Sequence, residues 1–186
     1  MILSNIDILE AYNNNLIDVN PWDKHKLGPN SYDVCLGNII KCYKDVEPLH
    51  NNLQLLDPKK DNETYELPFY GTKPDFWIFY PNVLYLGSTL ERVKNHAQNI
   101  VPMLEGRSSV ARLGISIHST AGFGDIGYCG YWTLEITVAH PIIIYPKMPI
   151  AQLSWMYTKS LSDRMYRGKY QHSEEPISSK LYEEYR

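Results

Sequence analysis

Short apolar runs, separated by turn-forming residues, dominate the chain beyond Asn20. Runs such as NIIKCY, GISIHST and PIIIYP are bounded by Pro, Gly, Asn and Asp. The run WTLEITV at residues 132–138 alternates between apolar and polar positions, so its two sets of side chains would lie on opposite faces of a strand. Strands punctuated in this way are typical of an all-β barrel or sandwich. The pattern therefore predicts a mainly β protein.

The two ends of the chain have a different pattern. Ser4 is a candidate N-cap for a short amphipathic helix that would cover the sheet with one apolar face, made of Ile6, Ile8, Leu9 and Tyr12. Residues 158–186 are rich in charge and tyrosine, which is typical of a tail. We expect one domain over residues 1–186, with a polar excursion loop or hairpin at 45–75 to which no chemistry is assigned.

The composition narrows the choice of partner and compartment. The 186 residues carry a net charge of −3, so a nucleic-acid polymer is not an expected partner, whereas a local arginine cluster suffices for a small anion. Cys35, Cys42 and Cys129 lack zinc spacing and are expected to be free thiols in a reducing compartment. The sequence has neither a signal-peptide pattern nor an apolar run of about 18 residues. It therefore predicts a cytoplasmic protein, or one of the host cytoplasm if it is viral, that does not cross a membrane.

A cluster of two arginines and two serines is the first candidate site. Arg107, Ser108, Ser109 and Arg112 lie within six residues of one another. Guanidinium and hydroxyl donors match phosphate oxygens, and backbone N–H groups of a tight turn add further donors. The alternative is a solvated turn with an ordinary surface arginine. A pocket wall is favoured because the neighbouring residues are apolar, namely Val110, Ala111, Leu113, Gly114 and Ile115.

Glu135 is the second candidate, in the middle of the alternating run. Trp132, Leu134, Ile136 and Val138 would form one face of the strand, with Thr133, Glu135 and Thr137 on the other. On strand logic alone, Glu135 would be a glutamate on a solvated face. If that face is instead the wall of a cleft, a partly desolvated carboxylate can hold a proton near neutral pH and act as a general base and acid.

Several segments together resemble the dCTP deaminases, a family within the wider group of trimeric dUTPases. EGRSSVARLG at 105–114, HSTAGFGD at 118–125 and GYWTLE at 130–135 follow the order and spacing of the family signature. Other segments, SYDVCLG, YPNVLYLGSTLERV, YPKMPIAQL and GKYQ, are similar to further elements of the family. The resemblance spans nearly the whole chain except residues 45–75.

The resemblance implies a distorted jelly-roll β-barrel of the dUTPase-like type, with active sites between the subunits of a homotrimer. The tail at about 158–186 would close over a bound nucleotide, dCTP or dUTP, with dTTP as a candidate inhibitor. Mg²⁺ would arrive with the triphosphate rather than on protein side chains. No zinc is expected, because the chain lacks the HxE and PCxxC motifs of the zinc deaminases, and His118 is expected to be structural.

The resemblance also implies roles by matched position. Glu135 matches the glutamate that moves protons between water and the cytosine ring, and Ser108 with the Ala121 carbonyl matches the groups that hold the attacking water. Arg112 matches an arginine beside the base, and Asp125 an aspartate near the deoxyribose. Phosphate and base contacts are expected from the remaining matched positions, namely Arg107, Ser108, Ser109, Val110, Ala111, Thr133, Leu134, Gln152, Tyr166, Lys169 and Gln171.

The reaction product depends on the branch of the family. A glutamate at 135 favours deamination over a dUTPase-only activity, which attacks a phosphate. The HSTAGF segment and Gln152 favour the bifunctional branch, which converts dCTP to dUMP, the precursor of thymidylate, and pyrophosphate. The alternatives are a deaminase that releases dUTP only, a deaminase acting on dCMP, a dUTPase, and a non-catalytic nucleotide-binding regulator on the same fold.

Three positions depart from the family pattern. Gly124 stands where the family has an apolar residue before the aspartate, and Ile126 stands where it has proline. Ser173 stands where the family commonly has glutamine. The loss of that amide is expected to weaken the grip of the tail on the triphosphate, so that dCDP or dCMP would compete better.

Overall fold

The chain opens with the predicted helix, although one face of it differs from the prediction. A computed structural model of the protein describes residues 1–44, 55–71 and 75–186. Helix α1 (Asn5–Asn13) is capped by Ser4, whose Oγ accepts the Asp7 N–H while the Asp7 carboxylate accepts the Ser4 N–H. Ile8 is buried, but Ile6 is 71% exposed, because residues two positions apart lie about 200° apart around a helix. Leu9 is also exposed, so the predicted apolar face is wrong at these two positions.

Eleven strands and one further short helix follow within the described residues, and every pairing between named strands is antiparallel. Helix α2 (Ser108–Ala111) lies between β7 and β8, and two 3₁₀ helices span Lys24–Lys26 and Leu181–Tyr185. The strands are β1 (Ile17–Asn20), β2 (Tyr32–Cys35), β3 (Lys41–Tyr43), β4 (Thr64–Glu66), β5 (Trp77–Phe79), β6 (Tyr85–Asn95), β7 (Ile100–Gly106), β8 (Ile115–Ser116), β9 (Cys129–Val138), β10 (Ile142–Ile144) and β11 (Pro149–Tyr157).

The strands form three sheets around one core. The largest has the order β4-β3-β6-β9-β8, with β1 also pairing with β6, and the others are β2-β11-β7 and β10-β5. A mainly β fold with a short N-terminal helix is thus confirmed. Across the described ranges the sheets do not close into one barrel ladder. Where the end of β2 approaches β6, only an isolated bridge joins Leu36 to Thr89, because β6 is irregular between Ser88 and Arg92.

Strand β9 carries the alternation predicted from its sequence. Thr133, Glu135 and Thr137 are half-buried on one face, whereas the other face is at most 7% exposed and consists of Trp132, Leu134, Ile136 and Val138. This buried face packs into a core whose largest side chains include Trp77, Trp155, Tyr32 and Phe79. The core therefore fixes the face on which Glu135 is presented.

The predicted excursion is partly visible. Residues 45–54 and 72–74 lie outside the described residues, but β4 pairs with β3 and supports the hairpin interpretation. The three cysteines are free, as expected, and they are buried. Among the helices of the described part of the chain, none is both long enough and apolar enough to span a bilayer.

A buried ion pair ties the first 3₁₀ helix to β6. The Glu91 side chain is fully buried, and its Oε1 lies 2.5 Å from the Lys26 Nζ. Its Oε2 accepts the backbone N–H of Cys35 at 2.8 Å, and the Lys26 ammonium also donates to the Cys35 sulfur at 3.2 Å. Although burial pulls the pKa of Lys26 down, the hydrogen bond and charge of Glu91 raise it above its usual value. Lys26 and the Cys35 N–H therefore each donate to the buried Glu91 carboxylate.

Candidate active site

A cavity of about 520 Å³ lies between β9 and the C-terminal segment, residues 158–186. Five of the residues expected at the nucleotide site line it, namely Ala121, Asp125, Thr133, Glu135 and Tyr166. Its remaining wall is rich in aromatic side chains, including Phe123, Tyr128, Trp132 and Tyr170. A concave, largely apolar pocket with a few polar groups is the usual form of a small-molecule site.

Glu135 is a cavity carboxyl group whose pKa is shifted by its surroundings. Burial raises the pKa of its carboxyl above the usual value, while its own backbone N–H and the nearby His118 oppose the increase. A carboxyl group in such surroundings accepts and releases protons closer to neutral pH than an exposed glutamate does. The structure thus favours the cleft-wall interpretation of Glu135 over the solvated-face alternative.

The backbone beside Glu135 is also available to a ligand. In an antiparallel strand, the N–H and C=O groups of alternate residues point to the same edge. The Tyr131 N–H donates to the Ser173 carbonyl at 3.0 Å, and Thr137 pairs with Ser116 of β8. Thr133 and Glu135 lie between these two partners, so their backbone groups point to the same edge, where the cavity lies. By the same alternation the Trp132 N–H points to the β6 side, where it donates to the Thr89 hydroxyl oxygen at 3.0 Å.

The C-terminal segment forms the other side of the cavity. Gln171 docks it, because its Oε1 accepts the Cys129 N–H at 2.9 Å and its Nε2 donates to the Gly127 carbonyl at 2.9 Å. Lys169 pairs with Glu184 at 2.5 Å. Gln171 and Lys169 were both expected to contact nucleotide, and neither lines the cavity in this arrangement.

The arginine–serine turn lies elsewhere on the same chain. The Arg107 guanidinium pairs with the Asp33 carboxylate at 2.9 Å. In the three-stranded sheet, Asp33 of β2 is paired with Gln152 of β11, and Gln152 is paired on its other side with Glu105 of β7. Val110 anchors α2 in the core, whereas the other turn residues are exposed, namely Ser108, Ser109, Ala111 and Arg112. The structure of one chain therefore does not bring this turn and Glu135 into one cavity.

His118 is held between these two regions. Its Nε2 lies 3.0 Å from the Leu104 carbonyl oxygen and 3.8 Å from the Glu105 carboxylate. His118 also acts electrostatically on Glu135. A Cβ at Gly122 would lie 2.7 Å from this ring, so that the close approach requires glycine. Within residues 1–44, 55–71 and 75–186, no group of His, Cys, Asp or Glu is suited to hold a metal ion, and His118 has a structural contact.

Sequence reasoning missed most of the aromatic and tail residues of the cavity. Tyr43, Tyr128, Ser173 and the Ile177–Ser179 stretch line it. Their one signal in the sequence is the count of fifteen tyrosines, which does not indicate position. Trp132 was assigned to the core face, and it both packs there and reaches the cavity.

The fold has a counterpart among solved structures. The crystal structure of 2'-deoxycytidine 5'-triphosphate deaminase from Agrobacterium tumefaciens superposes with a TM-score of 0.62 at 16% identity. The match covers 84% of this chain and 48% of that one. The dUTPase-like fold type expected from the sequence is thus confirmed.

Sequence comparison gives the family. Residues 2–158 match the dCTP deaminase-like family, and the chain belongs to it. A Cytophaga hutchinsonii protein named "dCTP deaminase, dUMP-forming" is 40% identical over all of this chain and 99% of its own length. A protein of the same name from Clostridium beijerinckii is 40% identical with the same coverage. The resemblance stated from the motifs is confirmed, including its branch.

Proposed function

We propose that this chain is a dCTP deaminase that forms dUMP, ammonia and pyrophosphate from dCTP and water. The observation that carries the proposal is the half-buried Glu135, with its raised pKa, on the cavity-lining stretch of β9 in a cavity of about 520 Å³. The relatives named for this reaction match the full length of the chain, which supports the same activity here.

Glu135 performs the proton transfers of deamination. It takes a proton from water as the oxygen attacks C4 of cytosine, and it passes that proton to N3. A second proton, from the added hydroxyl group, then goes to the amino group, which leaves as ammonia while C4 becomes the uracil carbonyl. One carboxyl group can serve each step because burial brings its pKa toward the working pH. Ser108 and the Ala121 carbonyl hold the water, and Arg112 lies beside the base.

A homotrimer completes the site under this proposal. Ser108, Ser109 and Arg112 are exposed and do not line the cavity of their own chain. A neighbouring copy that presents its α2 turn to the Glu135 cavity supplies the cations that a triphosphate needs. Mg²⁺ enters as the nucleotide complex, since phosphate oxygens are its preferred ligands. The enzyme works in the cytoplasm, or in that of a host, and supplies dUMP for thymidylate synthesis.

Product analysis tests the reaction. Wild type is incubated with dCTP and Mg²⁺, and the nucleotides are separated by chromatography. We expect dUMP with ammonia and pyrophosphate from wild type, and no ammonia from Glu135→Gln, although that variant still binds dCTP. Glu10→Gln, at an exposed position of α1, is the matched control and should behave as wild type. Accumulation of dUTP would reassign the chain to a simple deaminase, and binding without turnover would indicate a regulator.

Mixing two inactive variants tests the shared site. Glu135→Gln and Arg112→Ala are mixed in equal amounts, dissociated and reassembled. If each site takes Glu135 from one copy and Arg112 from the next, about one quarter of the sites in random trimers are intact. Activity should therefore return to about one quarter of the wild-type value. No recovery, with trimers formed, would mean that both residues act within one chain.

A further inference from the structure

Ser173 is buried although it belongs to the polar C-terminal segment. It is 4% exposed, and its Oγ lies 2.6 Å from the Tyr131 carbonyl oxygen and 2.8 Å from the Tyr128 hydroxyl. The Tyr128 hydroxyl lies 2.8 Å from the same carbonyl. Two hydroxyl groups and one carbonyl therefore form a compact cluster, in which the two hydroxyl hydrogens are shared among three short contacts, and Ser173 is its member from the C-terminal segment.

The space around this cluster admits only a short side chain. A Cβ at Gly130 would lie 2.5 Å from the Ser173 Oγ and 2.9 Å from the Tyr128 hydroxyl. The glutamine amide common in the family at position 173 would not fit here without displacing these groups. The departure noted in the sequence thus exchanges an amide that would reach toward nucleotide for a hydroxyl that binds β9.

The cluster lies where the C-terminal segment joins the edge of β9. The His172 N–H donates to the Cys129 carbonyl at 2.7 Å, and the Tyr131 N–H donates to the Ser173 carbonyl at 3.0 Å. The chain then continues to Ile177–Ser179, which lie against the cavity. A segment released at Ser173 would therefore uncover the space in front of Glu135.

The Tyr128 ring holds its hydroxyl in a fixed place. The ring packs edge-on against Trp132, with centroids 5.7 Å apart and planes at 77°, and both rings line the cavity. Burial raises the pKa of Tyr128, with the Ser173 hydrogen bond acting in the opposite direction. The phenol therefore stays protonated at neutral pH and remains a hydrogen-bond donor.

We infer that Tyr128 and Ser173 form a latch that keeps the C-terminal segment closed over the nucleotide cavity, and that both are positioning residues for the reaction. The inference rests on the proposed function for its effect on substrate, but not for its effect on the segment itself. Within the latch, Ser173 is the residue that belongs to the C-terminal segment. Tyr128 and Tyr131 both lie on the β9 side of the cluster. Removal of either hydroxyl should loosen the segment and weaken nucleotide retention.

The test uses hydroxyl deletions in the full chain. Tyr128→Phe and Ser173→Ala each remove one oxygen atom, and the double variant combines them. Tyr145→Phe is the matched control, since Tyr145 is 43% exposed and outside the cavity. Trypsin cleavage after Arg167, Lys169 or Lys180 reports opening of the segment, and melting temperatures check that the fold is intact.

Both single variants should show about three- to tenfold faster cleavage of the segment, the range expected for loss of one hydrogen bond. The KM for dCTP should rise by a similar factor, with kcat within about twofold, because the chemistry at Glu135 is untouched. In the Ser173→Ala background, Tyr128→Phe should add less than about a twofold effect, since its link to the segment is already gone. Tyr145→Phe should match wild type in all three measurements.

Wild-type cleavage rates in both variants would overturn the latch, whatever the enzyme does. Fully additive effects of Tyr128→Phe and Ser173→Ala on the cleavage rate would also overturn it, because the two hydroxyl groups would then act independently rather than through a shared contact. A fall in kcat with an unchanged cleavage rate would place Tyr128 in the chemistry instead. If wild type fails to turn over dCTP but the cleavage pattern holds, the latch stands and the proposed function fails.

Discussion

Among the lysines that the structure describes, Lys26 is the one whose loss of charge should destabilise the fold most. The Lys26 ammonium lies 2.5 Å from a carboxylate oxygen of Glu91, and the Glu91 side chain is fully buried. Lys26→Met keeps the aliphatic length of the side chain but leaves the buried Glu91 carboxyl group without its cation. The Cys35 N–H at 2.8 Å is then the remaining donor to that carboxylate.

The expected magnitude follows from the burial of the two partners. Removing one member of a fully buried ion pair destabilises a protein by about 3–5 kcal/mol. The Lys26 side chain is 23% exposed, so water reaches the pair from one side and the loss should fall to about 2–4 kcal/mol. For a chain of this size each kcal/mol lowers the melting temperature by about 2–4 °C. We therefore expect Lys26→Met to melt about 5–15 °C below wild type.

Thermal and urea unfolding measure this change. Lys24→Met, on the same 3₁₀ helix but exposed, is the matched control and should shift the melting temperature by little. The double variant Lys26→Met with Glu91→Gln removes the uncompensated charge and should recover part of the loss. A Lys26→Met protein as stable as the Lys24→Met control would refute the reasoning, as would a double variant less stable than Lys26→Met alone.

Three other changes test separate parts of the site. Glu135→Gln should raise the melting temperature at pH 8 and give no gain near pH 4. A carboxyl group with a raised folded-state pKa loses its favourable protonated form as the pH rises through that pKa, whereas glutamine does not titrate. An equal change in melting temperature at both pH values would contradict this. Gly124→Ala should destabilise by about 1–3 kcal/mol in urea unfolding, because its Cβ would lie 2.5 Å from the Trp132 ring; increased stability would show that the loop shifts freely. Asp33→Asn should raise the KM for dCTP several-fold at constant kcat, since Arg107 loses the partner that orients it; an unchanged KM would exclude that role.

The sequence predicts well where one physical constraint acts locally. The alternation of residues 132–138 specifies the buried and cavity faces of β9, because a strand repeats every two residues and one face must enter the core. The same logic placed Glu135 on the correct face. The predicted apolar face of α1 is wrong at Ile6 and Leu9, which are exposed. The rotation between successive residues of a helix does not place both of them on the face of the buried Ile8.

Contacts between distant segments could not be predicted from the sequence. Ser173 contacts Tyr128 and Tyr131, more than forty positions away, and nothing in the local pattern of a polar tail indicates that such a serine is buried. The motif predicts Gln171 at the nucleotide, but its amide binds the backbone of Gly127 and Cys129 in this structure. Tail residues are placed by pairing with a strand edge, which a pattern of polarity does not encode.

The free edge of β9 explains why one short stretch carries so much of the site. An unpaired strand edge exposes N–H and C=O groups that seek a partner, and proteins normally cover such edges. Here the C-terminal segment covers β9 as far as Thr133 and β8 covers it from Thr137, which leaves the backbone groups around Glu135 open to the cavity. A pyrimidine offers along one edge the donors and acceptors that a neighbouring strand would offer. Under the proposed function, this stretch of strand edge would set a planar base beside Glu135, the carboxyl group proposed to exchange protons with it.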